Sequence, residues 1–125
     1  MPLSENSPID QGEIYWFTLP DRGGREQRGR RPCIVMSRRS INSGNPVVLV
    51  PMTSNTSRAN SYNILIPTNE IVRDICSSSA IKDSVAQCGQ VFMLDKRKLE
   101  DKLGKLSQNA VLAVQLGLSY VFDIR

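Results

Sequence analysis

The sequence contains no histidine among its 125 residues. Histidine is the commonest general base, a usual zinc ligand and the partner of most serine and cysteine nucleophiles, so its absence excludes those classes of active site. The chain has only three cysteines, Cys33, Cys76 and Cys88. Their odd number and the lack of a CxxC spacing indicate reduced thiols instead of a disulfide framework or a metal site. Any catalysis must therefore use carboxylates, arginine, lysine or hydroxyl groups, and we expect no cofactor.

Long apolar segments are also missing. No apolar run approaches the ~18 residues needed to cross a membrane, and residues 1–11 (MPLSENSPIDQ) are polar and lack the apolar core of a signal peptide. With 40% apolar and 22% charged residues, the composition is typical of a soluble globular domain. We expect a cytoplasmic protein with a flexible N-terminal lead over residues 1–11 and a single domain over residues 12–125.

Positive charge is concentrated in one part of the sequence. The net charge is +4, and residues 22–39 contain seven arginines with Glu26 as the only acid inside the segment. Arginine clusters favour phosphate-bearing partners such as nucleic acid. A solvated loop kept soluble by its charge is the alternative interpretation of the same composition. The segment REQRGRRP, residues 25–32, is therefore a candidate site for chemistry on a phosphate.

Five segments have the apolar or alternating pattern of β-strands. They are separated by turn residues and lie at residues 12–19, 32–37, 47–54, 62–67 and 84–94. Pro51 predicts an edge strand or a bulge within the third segment, and Gly89 lies in the middle of the fifth. Residues 68–83 carry few signals, and residues 98–106 fit either a helix or a strand.

A single helix is predicted near the C-terminus. Ser107 is a suitable N-cap, and apolar residues follow at helical spacing on two sides. One side carries Ala110, Val111, Val114 and Leu118, and the other carries Leu112 and Leu116. Five or six short strands with one late helix predict a mainly β fold, a small barrel with the helix packed on it. Because the helix has two apolar sides, we expect one to pack on the barrel and the other on a second subunit of a homodimer.

Four segments in this order resemble the MazF/PemK family of toxin endoribonucleases. They are GEIYWF, REQRGRRPCIVMS, VVLVPMTS and KDSVAQCGQVFMLDKRKL. The resemblance runs from about Gly12 to Leu118. It implies an SH3-like barrel with a C-terminal helix, a homodimer, and metal-independent cleavage of single-stranded RNA. It also implies inhibition by a cognate antitoxin whose acidic, flexible tail wraps the toxin.

The resemblance also implies the site residues. Arg31 stands where the family has its catalytic arginine before a proline, and Thr53 stands where it has its catalytic threonine. Glu26 and Gln27 match a pair in the substrate-facing loop. The remaining matches are to the glutamine of a later strand and to a K-D-S segment, which correspond here to Gln90, Lys82, Asp83 and Ser84.

Metal-free RNA cleavage needs three chemical tasks. The 2'-hydroxyl attacks phosphorus, so a proton must leave the 2'-oxygen, charge on the phosphoryl oxygens must be stabilised, and the leaving oxygen must be protonated. A guanidinium can bind two phosphate oxygens at once, which suits Arg31 to the second task. Thr53 can donate a hydrogen bond to the same charge. Glu26 either orients Arg31 or is the base, and Asp83 is a second candidate base or a strand-end residue.

Other residues are assigned to binding or depart from the family pattern. We expect Arg25, Arg28 and Arg30 to contact successive phosphates. Trp16 is expected to fill the core. Gly89 replaces an acid to which one branch of the family assigns a catalytic role, and Phe92 replaces an arginine, so Phe92 is expected to alter which base is accepted.

Two other functions are open. One is an RNA-binding barrel that does not cleave, and the other is a gyrase-poison-like toxin of the same fold that binds a protein.

Overall fold

The computed structural model describes residues 8–19, 29–74 and 81–124, and within these ranges the chain forms a sheet of eight strands. The strands are β1 (Glu13–Leu19), β2 (Gly29–Val35), β3 (Pro46–Thr53), β4 (Ile64–Ile66), β5 (Ile71–Arg73), β6 (Ser84–Ala86), β7 (Phe92–Asp95) and β8 (Lys102–Leu106). The helices are a short α1 (Arg39–Asn42) and the C-terminal α2 (Gln108–Phe122). Single 3₁₀ turns occur at Thr56–Arg58, Thr68–Glu70, Cys88–Gln90 and Lys96–Lys98.

The strands form a nearly closed antiparallel barrel. Their order is β4-β6-β3-β2-β1-β8-β5, and β7 also pairs with β3. The first half of β3 pairs with β7, whereas Met52 and Thr53 at its end pair with β6. Because of this change of partner, β3 connects the part of the barrel that contains β7 with the part that contains β6. The architecture is a mainly β, SH3-like barrel with a C-terminal helix, as predicted.

Two details of the predicted strands are wrong. Residues 84–94 form two strands, β6 and β7, because the chain turns through Cys88–Gln90. Gly89 lies so close to Tyr62 that an added Cβ would be 3.0 Å from its ring. Pro51 lies in a central strand, not at an edge. The β2–β3 ladder ends at Cys33 and Pro51, and the Pro51 carbonyl accepts a hydrogen bond from the Gln87 amide at 2.9 Å.

Two apolar cores lie on opposite faces of the strands. The first core lies between the sheet and α2 and includes Ile14, Ile34, Val50, Ala86, Val111 and Val114. The second core includes Ile9, Tyr15, Phe17, Cys33, Leu49 and Leu99. Successive residues of a strand point to opposite faces, so β1, β2 and β3 supply both cores.

Helix α2 agrees closely with its prediction. The Ser107 hydroxyl accepts a hydrogen bond from the Ala110 amide at 3.1 Å, which is the expected N-cap. The side that was predicted to face the barrel is buried, whereas Leu112 and Leu116 are 49% and 72% exposed. Within the described residues, no helix combines the length and apolarity needed to span a bilayer.

Residues 8–11 do not fit the expected flexible lead. Ile9 is buried in the second core, and its carbonyl accepts a hydrogen bond from the Asn42 side chain at 2.8 Å. Asp10 forms an ion pair with Arg39 at 2.6 Å. The first seven residues of the predicted lead lie outside the described ranges.

Candidate active site

Strand alternation places Arg31 and Thr53 on the same face of the sheet. The β2–β3 ladder ends at the pair Cys33 and Pro51, and Arg31 and Thr53 each lie two residues beyond that pair on their strands. Residues directly opposite each other in an antiparallel pair share a face of the sheet. Arg31 is also opposite Phe17 of β1, which packs in the second core. We call the side defined by Phe17, Arg31 and Thr53 the Arg31 face.

Arg31 has an unusual environment for an arginine. Its side chain is partly buried, and its Nε is a buried donor with no hydrogen-bond partner among the described residues. A buried donor left unpaired typically costs about 1–3 kcal/mol, so such a group generally has a ligand or water to bind. An arginine side chain carries N–H donors and no acceptor. Arg31 is therefore a partly buried cation with an unpaired donor, which suits it to bind an anion.

Thr53 lies at the end of β3 and is 7% exposed. Its Oγ1 accepts a hydrogen bond from the Asn55 amide at 3.2 Å. That bond uses a lone pair of the oxygen and not the hydroxyl hydrogen. The hydrogen can therefore be donated to an anion that binds next to Arg31.

A cavity of about 220 Å³ lies beside Arg31. It includes four of the predicted site residues, Arg30, Arg31, Lys82 and Ser84. The rest of its lining is mainly apolar, with one further hydroxyl, and consists of Ile14, Trp16, Pro32, Met52, Ser54, Ile81 and Leu103. Of the other predicted residues, Thr53, Asp83 and Gln90 are not part of this lining.

Arg30 is opposite Thr18 on β1, on the side of the sheet away from Phe17. We call this side the Arg30 face. The Arg30 Nε donates a hydrogen bond to Glu100 Oε1 at 2.8 Å, and the Thr18 hydroxyl donates to Glu100 Oε2 at 2.8 Å. The guanidinium carbon lies 4.3 Å from the centroid of the Trp16 ring. The hydrogen bond from Arg30 lowers the pKa of the Glu100 carboxyl. Arg30 is therefore held in place by a carboxylate and an aromatic ring.

The K-D-S segment is divided between two environments. Lys82 and Ser84 line the cavity, and the Ser84 hydroxyl donates a hydrogen bond to the Lys82 carbonyl at 2.9 Å. The Asp83 carboxylate instead accepts a hydrogen bond from the Thr68 amide at 2.8 Å. This contact fits the turn or strand-end role, and the assignment of Asp83 as a base stays a prediction. Gln90 is partly buried and closes the 3₁₀ turn Cys88–Gln90.

Arg25, Glu26, Gln27 and Arg28 lie outside the described residues, so their assignments stay predictions. Phe92 does not line the cavity. It packs against Phe17, with the ring centroids 5.8 Å apart.

Sequence reasoning missed two features of the site. Trp16, which was expected to fill the core, packs only partly against the first core and also lines the cavity. The aromatic cluster at residues 15–17 was a signal for this role. Glu100 was not singled out, because its partner Arg30 is 70 residues away in the sequence. A local pattern cannot reveal such a pair.

The two described cysteines are unsuited to nucleophilic chemistry. Burial raises the pKa of the Cys33 thiol to about 12 and that of the Cys88 thiol to about 11. Thiolates, not thiols, attack electrophiles and bind metals. The described residues also contain no group of three or more cysteine, aspartate or glutamate side chains arranged to hold a metal ion.

Comparisons with known proteins place the chain among toxins. A family model described as PemK-like, MazF-like toxin of type II toxin-antitoxin system matches residues 10–122. The chain is 28% identical over 119 residues to Endoribonuclease MazF2 of Mycobacterium bovis, and the alignment covers 93% of this chain and 98% of that protein.

Solved structures share the fold. The structure of MazF from Deinococcus radiodurans has a TM-score of 0.73 and 21% identity, with 94% of this chain and 99% of that chain covered. An endoribonuclease from a mycobacterial species, in complex with its cognate antitoxin, has a TM-score of 0.60 and 18% identity. That match covers 95% of this chain and 97% of the other chain.

Proposed function

The chain belongs to the PemK-like, MazF-like toxins of type II toxin-antitoxin systems, and we propose that it acts as an endoribonuclease on single-stranded RNA. The relative from Mycobacterium bovis is named as an endoribonuclease and aligns over nearly its whole length. The observation that carries the proposal is Arg31, a partly buried arginine with an unpaired Nε on the face of the sheet that also carries Thr53. A phosphoryl group bound by this guanidinium supplies a counter-charge.

In the proposed reaction, the 2'-oxygen of one nucleotide forms a bond to the adjacent phosphorus, and the bond from phosphorus to the 5'-oxygen breaks. The products are a 2',3'-cyclic phosphate and a 5'-hydroxyl. The proton of the 2'-hydroxyl passes to a base, and the departing 5'-oxygen takes up a proton. No metal ion is required by this scheme.

Arg31 and Thr53 stabilise the negative charge that builds up on the phosphoryl oxygens. The guanidinium binds two oxygens, and the hydroxyl donates a further hydrogen bond. Arg31 is not the base, since a guanidinium stays protonated at working pH. Asp83 is a second candidate for the base, and one of its carboxylate oxygens accepts the Thr68 amide. Glu26 either takes the proton or orients Arg31.

The other predicted residues bind substrate in this proposal. Arg25 and Arg28 contact phosphates without regard to sequence, which makes binding sensitive to salt. Gln27, Lys82, Ser84 and Gln90 contact the nucleotides on either side of the cleaved bond.

The partners follow from the family and from the exposed side of α2. We assign to this toxin a cognate antitoxin with an acidic, flexible tail, because a mycobacterial endoribonuclease of the same fold was solved with its antitoxin. Leu112 and Leu116 form an exposed apolar strip that suits a homodimer interface. The proposed site of action is the cytoplasm, and we take the toxin domain to begin at Ile9, which packs in the second core, and not at Gly12.

The experiment incubates purified protein with single-stranded RNA in EDTA and maps the ends of the products. We expect cleavage with cyclic phosphate and 5'-hydroxyl ends, and its loss in Arg31→Ala and Thr53→Ala variants that are shown to fold. Arg97→Ala is the matched control, because Arg97 is exposed and pairs locally with Asp95.

Cleavage that disappears in EDTA, or that survives Arg31→Ala, contradicts the mechanism. Binding without cleavage supports the non-catalytic RNA-binding barrel instead. Absence of RNA binding points to a protein target.

A further inference from the structure

The cavity on the Arg30 face has the size of a site for one small planar group. Its volume of about 220 Å³ lies below the roughly 300–1,000 Å³ that is usual for drug-sized ligands. Ile14, Met52 and Leu103 of the first core form its apolar wall. Arg31 is also part of this lining, and its side chain belongs to the opposite face of β2, so the cavity and the proposed phosphate position lie at consecutive residues of one strand.

Arg30 is not arranged as a phosphate ligand. Its Nε is hydrogen-bonded to Glu100, whose negative charge offsets that of the guanidinium and repels a phosphate. The same carboxylate is held from the other side by Thr18. The arrangement instead fixes the guanidinium over Trp16, and the Arg30 side chain is 49% exposed.

Planar guanidinium groups and aromatic rings are the surfaces on which RNA-binding proteins stack unpaired bases. We propose that the cavity beside Trp16 binds one nucleobase of the RNA, and that the base stacks on Arg30, with Glu100 as a positioning residue. This inference rests on the proposed function, since it names a further group of the same RNA substrate. Arg30 is thereby assigned to a base and not to a phosphate.

Two hydroxyl groups line the cavity and can contact the edge of the base. The Ser84 hydroxyl donates its hydrogen to the Lys82 carbonyl. Its oxygen therefore presents lone pairs, which accept hydrogen bonds from an N–H group. Ser54, on the same lining, can donate or accept. The site thus favours a base whose edge presents an N–H group to the Ser84 oxygen.

The test uses Trp16 as a reporter, because it is the only tryptophan in the chain. The probes are seven-nucleotide oligomers of deoxyadenosine, deoxycytidine or thymidine, which lack the attacking 2'-hydroxyl, and an abasic oligomer of the same length. We expect at least one base-bearing oligomer to change the Trp16 fluorescence and to bind at least tenfold more tightly than the abasic one, as base stacking contributes about 1–3 kcal/mol.

Two variants separate stacking from charge. Arg30→Lys keeps the positive charge but removes the planar group, and Glu100→Gln keeps the shape of the side chain but weakens its hold on Arg30. Both are expected to lose most of the preference for base-bearing over abasic oligomers. Arg30→Lys is expected to keep the salt dependence of binding. Arg97→Lys and Asp95→Asn, an exposed ion pair of the same kind, are the matched controls.

Equal binding of base-bearing and abasic oligomers overturns the inference, and so does a base preference that survives Arg30→Lys. RNA cleavage by the wild type is measured in parallel. Cleavage without any base dependence rejects the base site and leaves the proposed function intact. Base-dependent binding without cleavage rejects the endoribonuclease and supports the base site.

Discussion

Arg30 and Arg31 are consecutive residues of one strand, yet the two faces of the sheet give them different environments. Arg30 is exposed, lies over Trp16 and is paired with Glu100. Arg31 is partly buried, shares a face of the sheet with Thr53 and has an Nε without a hydrogen-bond partner among the described residues. The alternation of side chains along a strand is sufficient to produce this difference.

The comparison shows that charge alone does not define the function of an arginine. A guanidinium that is already hydrogen-bonded to a carboxylate offers a rigid planar surface for stacking. A guanidinium that has an unpaired donor can instead bind an anion. Variants of residues on the two faces test this distinction. Arg31→Lys has the largest expected effect and Gln87→Leu the smallest.

Arg31→Lys gives the largest expected effect. Lysine keeps the charge but binds one oxygen as a point charge, so we expect kcat to fall about 10²- to 10³-fold. Single-turnover cleavage of a short RNA measures this loss. Arg30→Lys, the matched change on the other face, is expected to act mainly by raising KM, because it removes the surface for the base and not a contact to the reacting phosphate. An equal fall in kcat in the two variants contradicts the proposal that Arg30 and Arg31 have different roles.

Thr53→Val gives the next largest effect. The variant removes the donor to the phosphoryl oxygens, and we expect kcat to fall about 10²-fold. It also leaves the Asn55 amide without its acceptor, at a cost of about 1 kcal/mol in the free energy of unfolding. Thr53→Ser keeps the hydroxyl and is expected to retain most of the activity. Full activity of the valine variant removes Thr53 from the mechanism.

Glu100→Gln is expected to change stability in a way that depends on pH. The hydrogen bond from Arg30 holds the pKa of Glu100 below its ordinary value of 4.5. The pair therefore stabilises the folded state above pH 4.5, and this contribution disappears as the pH falls through the lowered pKa. Because the pair is partly exposed, its contribution is at most about 1 kcal/mol.

Thermal unfolding from pH 7 down to pH 3 checks the Glu100 effect. Wild type is expected to unfold at a higher temperature than Glu100→Gln at pH 7, and the difference is expected to shrink in acid. A difference that grows as the pH falls contradicts the assigned ion pair.

Gln87→Leu gives the smallest expected effect. Gln87 is buried, and its Oε1 has no hydrogen-bond partner among the described residues. Removing an unsatisfied acceptor while keeping the shape is expected to leave the free energy of unfolding unchanged or to raise it by up to about 1 kcal/mol. Asn42→Leu is the contrast, since the Asn42 amide donates to the carbonyls of Ile9 and Ser37 and its loss destabilises the fold. Urea unfolding measures both variants.

Local patterns predicted the parts of the fold that depend on local interactions. The Ser107 cap and the apolar spacing along α2 were readable from adjacent residues. The turn that separates β6 from β7 was not readable in this way, because it brings Gly89 against Tyr62, a residue distant in sequence. The three-residue strand β5 was too short to produce a periodic signal.

The candidate site was predictable to a smaller extent. Arg31 and Thr53 lie on different strands, so only the family resemblance linked them at the level of the sequence. The Arg30–Glu100 pair joins residues far apart in sequence, so no local motif marks it. The alternation rule placed Trp16 opposite its neighbours but could not show that a cavity lies beside it.

The most direct test is a crystal structure of the protein with an oligonucleotide that spans the cleavage site and carries 2'-deoxyribose at the attacking position. We expect a non-bridging oxygen of the scissile phosphate about 2.9 Å from a guanidinium nitrogen of Arg31, with the Thr53 hydroxyl directed at the same group. A scissile phosphate bound by Arg30 and Lys82, without contact to the Arg31 guanidinium, contradicts the proposed mechanism.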